Sequence, residues 1–155
     1  HPRTCLPACL PTPGVMSSGK RLIAAASGGD VGAVRSLLIG SAGRVAGFIN
    51  GKDENENTAL HMASHFGHLD MVRLLLENGA DVQVKNEDGM TALLFASQGG
   101  HLEMVRLLLE KGADTDATDV GGLTALHHAS VRGHLEVVRL LLEKGADIDI
   151  KDKKG

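Results

Sequence analysis

The hydrophobic positions of this chain recur with a helical period. Within residues 86–118, Leu102, Val105, Leu108 and Leu109 fall at i, i+3, i+6 and i+7, which puts them on one face of a helix. Glu103 stands in the first turn of that helix and Lys111 near its end, the signs that the helix dipole favours. Upstream, Thr91 precedes the run TALLFASQ and can cap another helix through its hydroxyl. Gly100 is placed to end this helix, because glycine enters the left-handed conformation without steric penalty. Gly112 is placed to end the later one. Residues 113–123 carry no helical period and hold Gly121 and Gly122, which predicts an extended, turn-rich connector. The pattern reads helix, tight turn, helix, long loop.

A second, longer period organises the chain. The segment GHLEMVRLLLEKGAD at 100–114 returns at 133–147 with one residue changed, and as GHLDMVRLLLENGAD at 67–81. Thr58, Thr91 and Thr124 stand 33 residues apart. A fixed period of this length predicts one supersecondary unit stacked on copies of itself. The units fall at about 20–52, 53–85, 86–118 and 119–151, with 152–155 matching the opening of a further one. The first is degenerate. It lacks the threonine cap, and matching 22–40 to 60–78 leaves five extra residues near 41–47. Residues 1–19 hold all four prolines and read as a disordered leader or tag-like segment.

The residues TALHxxAS, then GHLxxVRLLLExGAD, then D/NxxG, on this period, resemble the ankyrin repeat over about residues 20–155. The resemblance implies an all-α solenoid: a curved stack of antiparallel helix pairs with β-hairpin-like loops projecting at right angles. It also implies that His61 and His127 brace loops by hydrogen bonding, and that partner proteins bind along the hairpin tips and inner helices. The chain departs from the family pattern in having Ala59, Ala92 and Ala125 after the threonine, Leu94 in place of a histidine, and Glu56 in place of the turn glycine.

Composition narrows the function. Aromatic content is only 2%, so the core must be Leu, Val and Ala, which suits thin helices packed closely. Net charge is −3 without a basic patch, which argues against nucleic acid or a membrane surface as partner. No apolar run approaches the ~20 residues of a membrane span. Cys5 and Cys9 both lie in the leader, so no disulfide is expected in the folded part and a reducing compartment, cytoplasm or nucleus, is expected.

The candidate chemical groups are mostly repeat positions. His68, His101 and His134 are copies of one place, as are Ser64, Ser97 and Ser130, and a residue present in every unit is a structural device. His61 and His65 are spaced to share a metal, but a zinc site needs three or four ligands and no third is evident. No nucleophile stands beside a base and an orienting acid, and no nucleotide-binding loop occurs. Neither catalysis, nor a cofactor, nor a metal is expected. Arg73, Arg106 and Arg139 each have an acid three residues before and four after, a self-neutralising solvated face.

What remains are the positions that fail to repeat: loop tips and the exposed ends of the inner helices. The expected partner-binding residues are Asn57, His65, Phe66, Glu87, Met90, Gln98, Val120, Leu123, Val131 and Arg132. This row runs from polar and acidic to apolar, and an aligned row of exposed apolar side chains marks an interaction surface. The leading expectation is a non-catalytic module that binds another protein. The alternatives are a targeting or regulatory segment of a larger protein, or a small stoichiometric inhibitor of an enzyme or transcription factor. The last outer helix is as apolar as an internal one, whereas terminal repeats carry a polar outer face. That predicts either continuation of the array or self-association through the C-terminal repeat.

Overall fold

A computed structural model describes residues 18–40 and 47–152. The leader with Cys5 and Cys9, most of the insertion near 41–47, and residues 153–155 lie outside the described residues. Eight helices follow in pairs, and no strand occurs among the described residues. They are α1 (Ser18–Gly28), α2 (Val31–Gly40), α3 (Ala59–Phe66), α4 (Leu69–Glu77), α5 (Ala92–Gly99), α6 (Leu102–Glu110), α7 (Ala125–Arg132) and α8 (Leu135–Glu143).

The threonines start the inner helices as their sequence position requires. Thr58, Thr91 and Thr124 take extended backbone, and each hydroxyl accepts the N–H of the residue three further on. In α3 and α7 that residue is a histidine whose ring returns the favour, Nδ1 accepting the threonine N–H at 2.9 Å. This is a capping box in which imidazole replaces the usual glutamate. Each inner helix ends on a glycine in the left-handed region, such as Gly67 at φ 77°, and the outer helix begins two residues later.

Inner helices α1, α3, α5 and α7 pack side by side in one layer, and outer helices α4, α6 and α8 touch less closely in a second. Small side chains set that distance. Ala59, Ala63, Ala92, Ala96, Ala125 and Ala129 are all at most 2% exposed. The outer helices close the core with Met71, Val72 and Leu75, then Met104, Val105 and Leu108, then Val137, Leu140 and Leu141. Deleting one such leucine costs about 2–5 kcal/mol, because interiors this dense leave a cavity behind.

Ser64 and Ser97 lie fully buried where these helices touch, with no hydrogen-bond partner for either hydroxyl. Their small volume, not their chemistry, is what the contact uses. On the outer face Arg73, Arg106 and Arg139 each pair with the acid three residues before, at 3.5, 3.7 and 3.0 Å. The glutamates four residues after are not the partners. Acids in the first helical turn already interact favourably with the dipole, so the earlier carboxylate is the better-held one.

Candidate protein-binding surface

The loops form hairpin-like turns braced from within. In the third unit, Asn86 N–H donates to the Met90 carbonyl at 3.1 Å, and the Asn86 side-chain oxygen accepts the N–H groups of Asp88 and Met90, both at 2.9 Å. Asp53 and Asp119 perform the same task in the neighbouring loops. Successive tips are then joined to each other. Glu87 N–H donates to the Asn55 carbonyl at 3.1 Å and Val120 N–H to the Asp88 carbonyl at 3.0 Å. Lys85 Nζ reaches the Thr118 carbonyl at 2.8 Å. The tips therefore form one continuous row whose shape is fixed by the backbone.

That bracing corrects two expectations. Met90 is 7% exposed and Asn57 9% exposed. Both turn inward beneath their hairpin, Met90 into the core and Asn57 onto Asn86, whose Nδ2 donates to its Oδ1 at 2.8 Å. Neither offers a surface to a partner, because the position just before the capping threonine faces the hairpin interior. Leu123, at the same position, is partly buried and its N–H is held by Asp119.

The rest of the predicted row lies at the surface. Glu87, Val120, His65, Phe66, Val131 and Arg132 are exposed and Gln98 partly so. Val120 is 57% and Val131 81% exposed. His65, Gln98 and Val131 occupy one position in successive inner helices, and Phe66, Gly99 and Arg132 the next.

An aromatic group sits at the α3–α5 end of this row. The His65 ring lies edge-on to Phe66 with centroids 4.7 Å apart, and edge-on to Phe95 at 5.3 Å. His61 also lies edge-on to Phe95 at 5.8 Å, and His68 stacks on Phe66 at 6.3 Å. Phe66 nevertheless stays 52% exposed. Repetition alone assigns Phe95, His61 and His68 to the scaffold and so misses their part in supporting Phe66. The available signal is that Phe95 stands where the other units have Met62 and His128.

His61 has no ring nitrogen left over. Both ring nitrogens are engaged, Nδ1 accepting from Thr58 and Nε2–H donating to the Val84 carbonyl at 2.9 Å. Burial pushes the His61 imidazole below its ordinary pKa, outweighing the carbonyl hydrogen bond that pulls the other way. Among the described residues no group of three or more His, Cys, Asp or Glu is arranged to hold a metal. His128 instead meets Asp119, Nε2 to Oδ2 at 3.0 Å, tying α7 to its own hairpin. Burial acts to raise the Asp119 carboxyl, but the N–H of Leu123, the His128 ring and the N–H of Gly121 hold it below its ordinary value.

Paired helices stacked in register, the three later units capped and braced alike, define an α-solenoid repeat protein. The family model for ankyrin repeats in three copies matches residues 16–86 and 80–152, so the chain belongs to the ankyrin-repeat family. It is similar to a probable E3 ubiquitin-protein ligase, XBOS33, of Oryza sativa subsp. japonica, at 44% identity over 72 residues, 46% of this chain and 13% of that protein. It is also similar to a transient receptor potential cation channel subfamily A member 1 homolog of Caenorhabditis elegans, at 44% identity over 61 residues, 39% of this chain and 5% of that protein. The chain thus spans a small fraction of either relative. Ankyrin repeats are generally protein–protein interaction modules. No described helix is long and apolar enough to cross a membrane.

Proposed function

We propose that this chain binds another protein along the row of hairpin tips and inner-helix ends, with Phe66 as the apolar anchor. The observation that carries the reading is a phenylalanine half exposed against the rings of His65 and His68, with His65 in turn resting on Phe95. An aromatic already held in place loses little conformational entropy on binding, which is why such residues dominate interfaces. Glu87 and Val120 on the tips, with His65, Gln98, Val131 and Arg132 on the helices, complete the surface. Its role is recognition, without a catalytic step of its own.

The test is affinity capture followed by quantitative mass spectrometry with the parent chain and with Phe66→Ala. Loss of Phe66 should weaken capture of a specific partner by roughly 10- to 30-fold, the loss expected for an interface anchor, while helical content stays unchanged. Equal recovery by both chains would refute the placement.

A second reading has its own support. Both relatives are much longer than the segment matched, a ligase and a channel by name. In that reading the row recruits or positions a partner for a larger protein. A reducing setting, cytoplasm or nucleus, fits either, since residues 18–152 contain no cysteine.

A further inference from the structure

The outer helix of every unit carries an arginine at the same place, and the first of them lacks the acids that serve the others. Arg73, Arg106 and Arg139 pair with Asp70, Glu103 and Glu136, and Glu77, Glu110 and Glu143 follow four residues on. Arg35 holds that place in α2, where the two acid positions are Gly32 and Ile39. Among the described residues no carboxylate lies within ion-pair distance of Arg35. Residues 41–46, which follow α2 in the chain, hold Arg44 and no acid. Residues 18–50 thus carry Lys20, Arg21, Arg35 and Arg44 against Asp30 alone, on a chain whose net charge is −3.

The shape beside Arg35 differs as well. Helix α2 packs against α4 less closely than α4 against α6 or α6 against α8. The gap is a groove of about 270 Å³ lined by Arg35, Leu38, Ile39, Leu74 and Asn78. That exceeds the roughly 150 Å³ that admits a benzene-sized group, so an aliphatic side chain has room. At the next two junctions the places of Ile39 and Asn78 are held by Glu77 and Lys111, then by Glu110 and Lys144. The charged rim is therefore missing only at the first junction. Ile39 is 80% exposed, and Leu38 at the floor is 8% exposed. Asn78 Nδ2 donates to the Leu74 carbonyl at 2.8 Å, and its side-chain oxygen takes no hydrogen bond among the described residues.

We propose that this groove is a second docking site, on the outer layer, for a segment of a partner protein that presents a carboxylate beside an aliphatic side chain. The carboxylate meets Arg35 as Asp70, Glu103 and Glu136 meet the later arginines, with the guanidinium fork able to hold both oxygens. The aliphatic group enters between Leu38, Ile39 and Leu74 and covers Ile39. A backbone N–H of the segment can donate to Asn78. Charge complementarity selects the acid, and the recessed floor selects a peptide over an anionic bilayer, whose surface would touch Ile39 and leave Leu38 untouched. The inference is independent of the Phe66 row, since the two surfaces share no residue and lie on different helices.

The test pans random peptides displayed on phage against the full chain carrying Phe66→Ala, which silences the row. Enriched peptides should carry Asp or Glu close to Leu, Ile or Val. A synthetic copy of the most enriched one should bind the parent chain and shift the amide signals of Arg35, Ile39 and Leu74 in NMR spectra. Arg35→Glu should weaken that peptide about tenfold, because attraction becomes like-charge repulsion. Ile39→Glu, which copies Glu77, gives Arg35 an acid of its own and should weaken it by a similar factor. Both side chains are exposed, so both variants should keep the thermal midpoint within about 2 °C. Arg73→Glu should change the affinity less than about twofold, since that arginine is already paired. Replacing the peptide's acid by lysine should restore binding to Arg35→Glu and abolish it for the parent. Failure to enrich an acidic and aliphatic motif would overturn the inference, as would equal binding to the parent and Arg35→Glu. Capture of the parent by phosphatidylserine vesicles without any peptide ligand would overturn it in favour of a membrane. Dimerisation of the parent that Arg35→Glu abolishes would overturn it in favour of a second copy.

Discussion

Asn86→Ala should destabilise the chain by about 3 kcal/mol, and Asn86→Asp by about 1 kcal/mol or less. Asn86 is 8% exposed and its side chain makes three hydrogen bonds, accepting from Asp88 and Met90 and donating to Asn57. Alanine leaves the N–H of buried Met90 without a partner, at a cost of about 1–3 kcal/mol. The side-chain oxygen of Asn57 is stranded as well, for about 1 kcal/mol more. The exposed Asp88 N–H turns to water at little cost. Aspartate keeps both acceptor bonds, as Asp53 and Asp119 show at the same position: Asp119 Oδ1 accepts from Gly121 at 2.8 Å and Leu123 at 3.0 Å. It loses only the bond to Asn57, whose amide stays held by the Asp53 carboxylate. The chain has no Trp or Tyr, so far-UV circular dichroism is the probe for urea unfolding. With a slope of about 2 kcal/mol/M, the alanine variant should unfold about 1.5 M earlier than the parent and the aspartate variant within about 0.5 M. Equal midpoints for the two variants would refute the bracing argument, as would a shift below about 0.5 M for alanine.

Two further outcomes follow from single residues. Burial holds the His61 imidazole below its ordinary pKa in the folded state, so its contribution to stability is fully present above about pH 6.5, the unfolded value, and declines as pH falls below it. His61→Leu, which copies Leu94 at the same place in the next unit, should flatten the urea midpoint between pH 7.5 and 5.5 relative to the parent; an unchanged slope would mean that another group carries it. Glu56 is the one non-glycine residue with positive φ among the described residues, at 63°. Glu56→Gly should raise the unfolding midpoint by an amount equivalent to about 0.5–1 kcal/mol, since the left-handed penalty of about 1–2 kcal/mol exceeds the chain-entropy cost of glycine, and its exposed pairing with Lys52 adds little. A fall in the thermal midpoint would contradict that balance.

The outer helices are legible in the leucine spacing: the helix that Leu102, Val105, Leu108 and Leu109 predict is found at Leu102–Glu110. The threonine caps are equally legible, because the cap is a local hydrogen bond written in adjacent residues. Met90 and Asn57 are not. Divergence between copies suggests freedom from the architecture, but their position faces the inside of a hairpin, and each copy fills that space differently. Asn57 does so with a hydrogen bond to Asn86, Met90 with apolar bulk, Leu123 with partial burial. A buried position can diverge when its neighbours diverge with it, and sequence differences alone do not separate that case from a surface. Phe95 is hidden for the opposite reason: it lies in a helix otherwise accounted for by repetition, and its ring contacts with His61 and His65 are long-range.

A repeat protein offers two comparisons that a unique fold does not. Holding the place constant and letting the residue vary, as in His65, Gln98 and Val131, finds positions where packing does not dictate the side chain, and the recognition surface is sought there. Holding the residue constant and letting the surroundings vary, as in Ser97 and Ser130 or Leu102 and Leu135, isolates the effect of a neighbour. The first comparison needs the structure to remove inward-facing positions such as Met90. The second needs it to supply the exposure. Combined, they favour Phe66 and its row for recognition. The row relies on an aromatic set against two histidine rings of its own unit, one of which rests on Phe95 of the next.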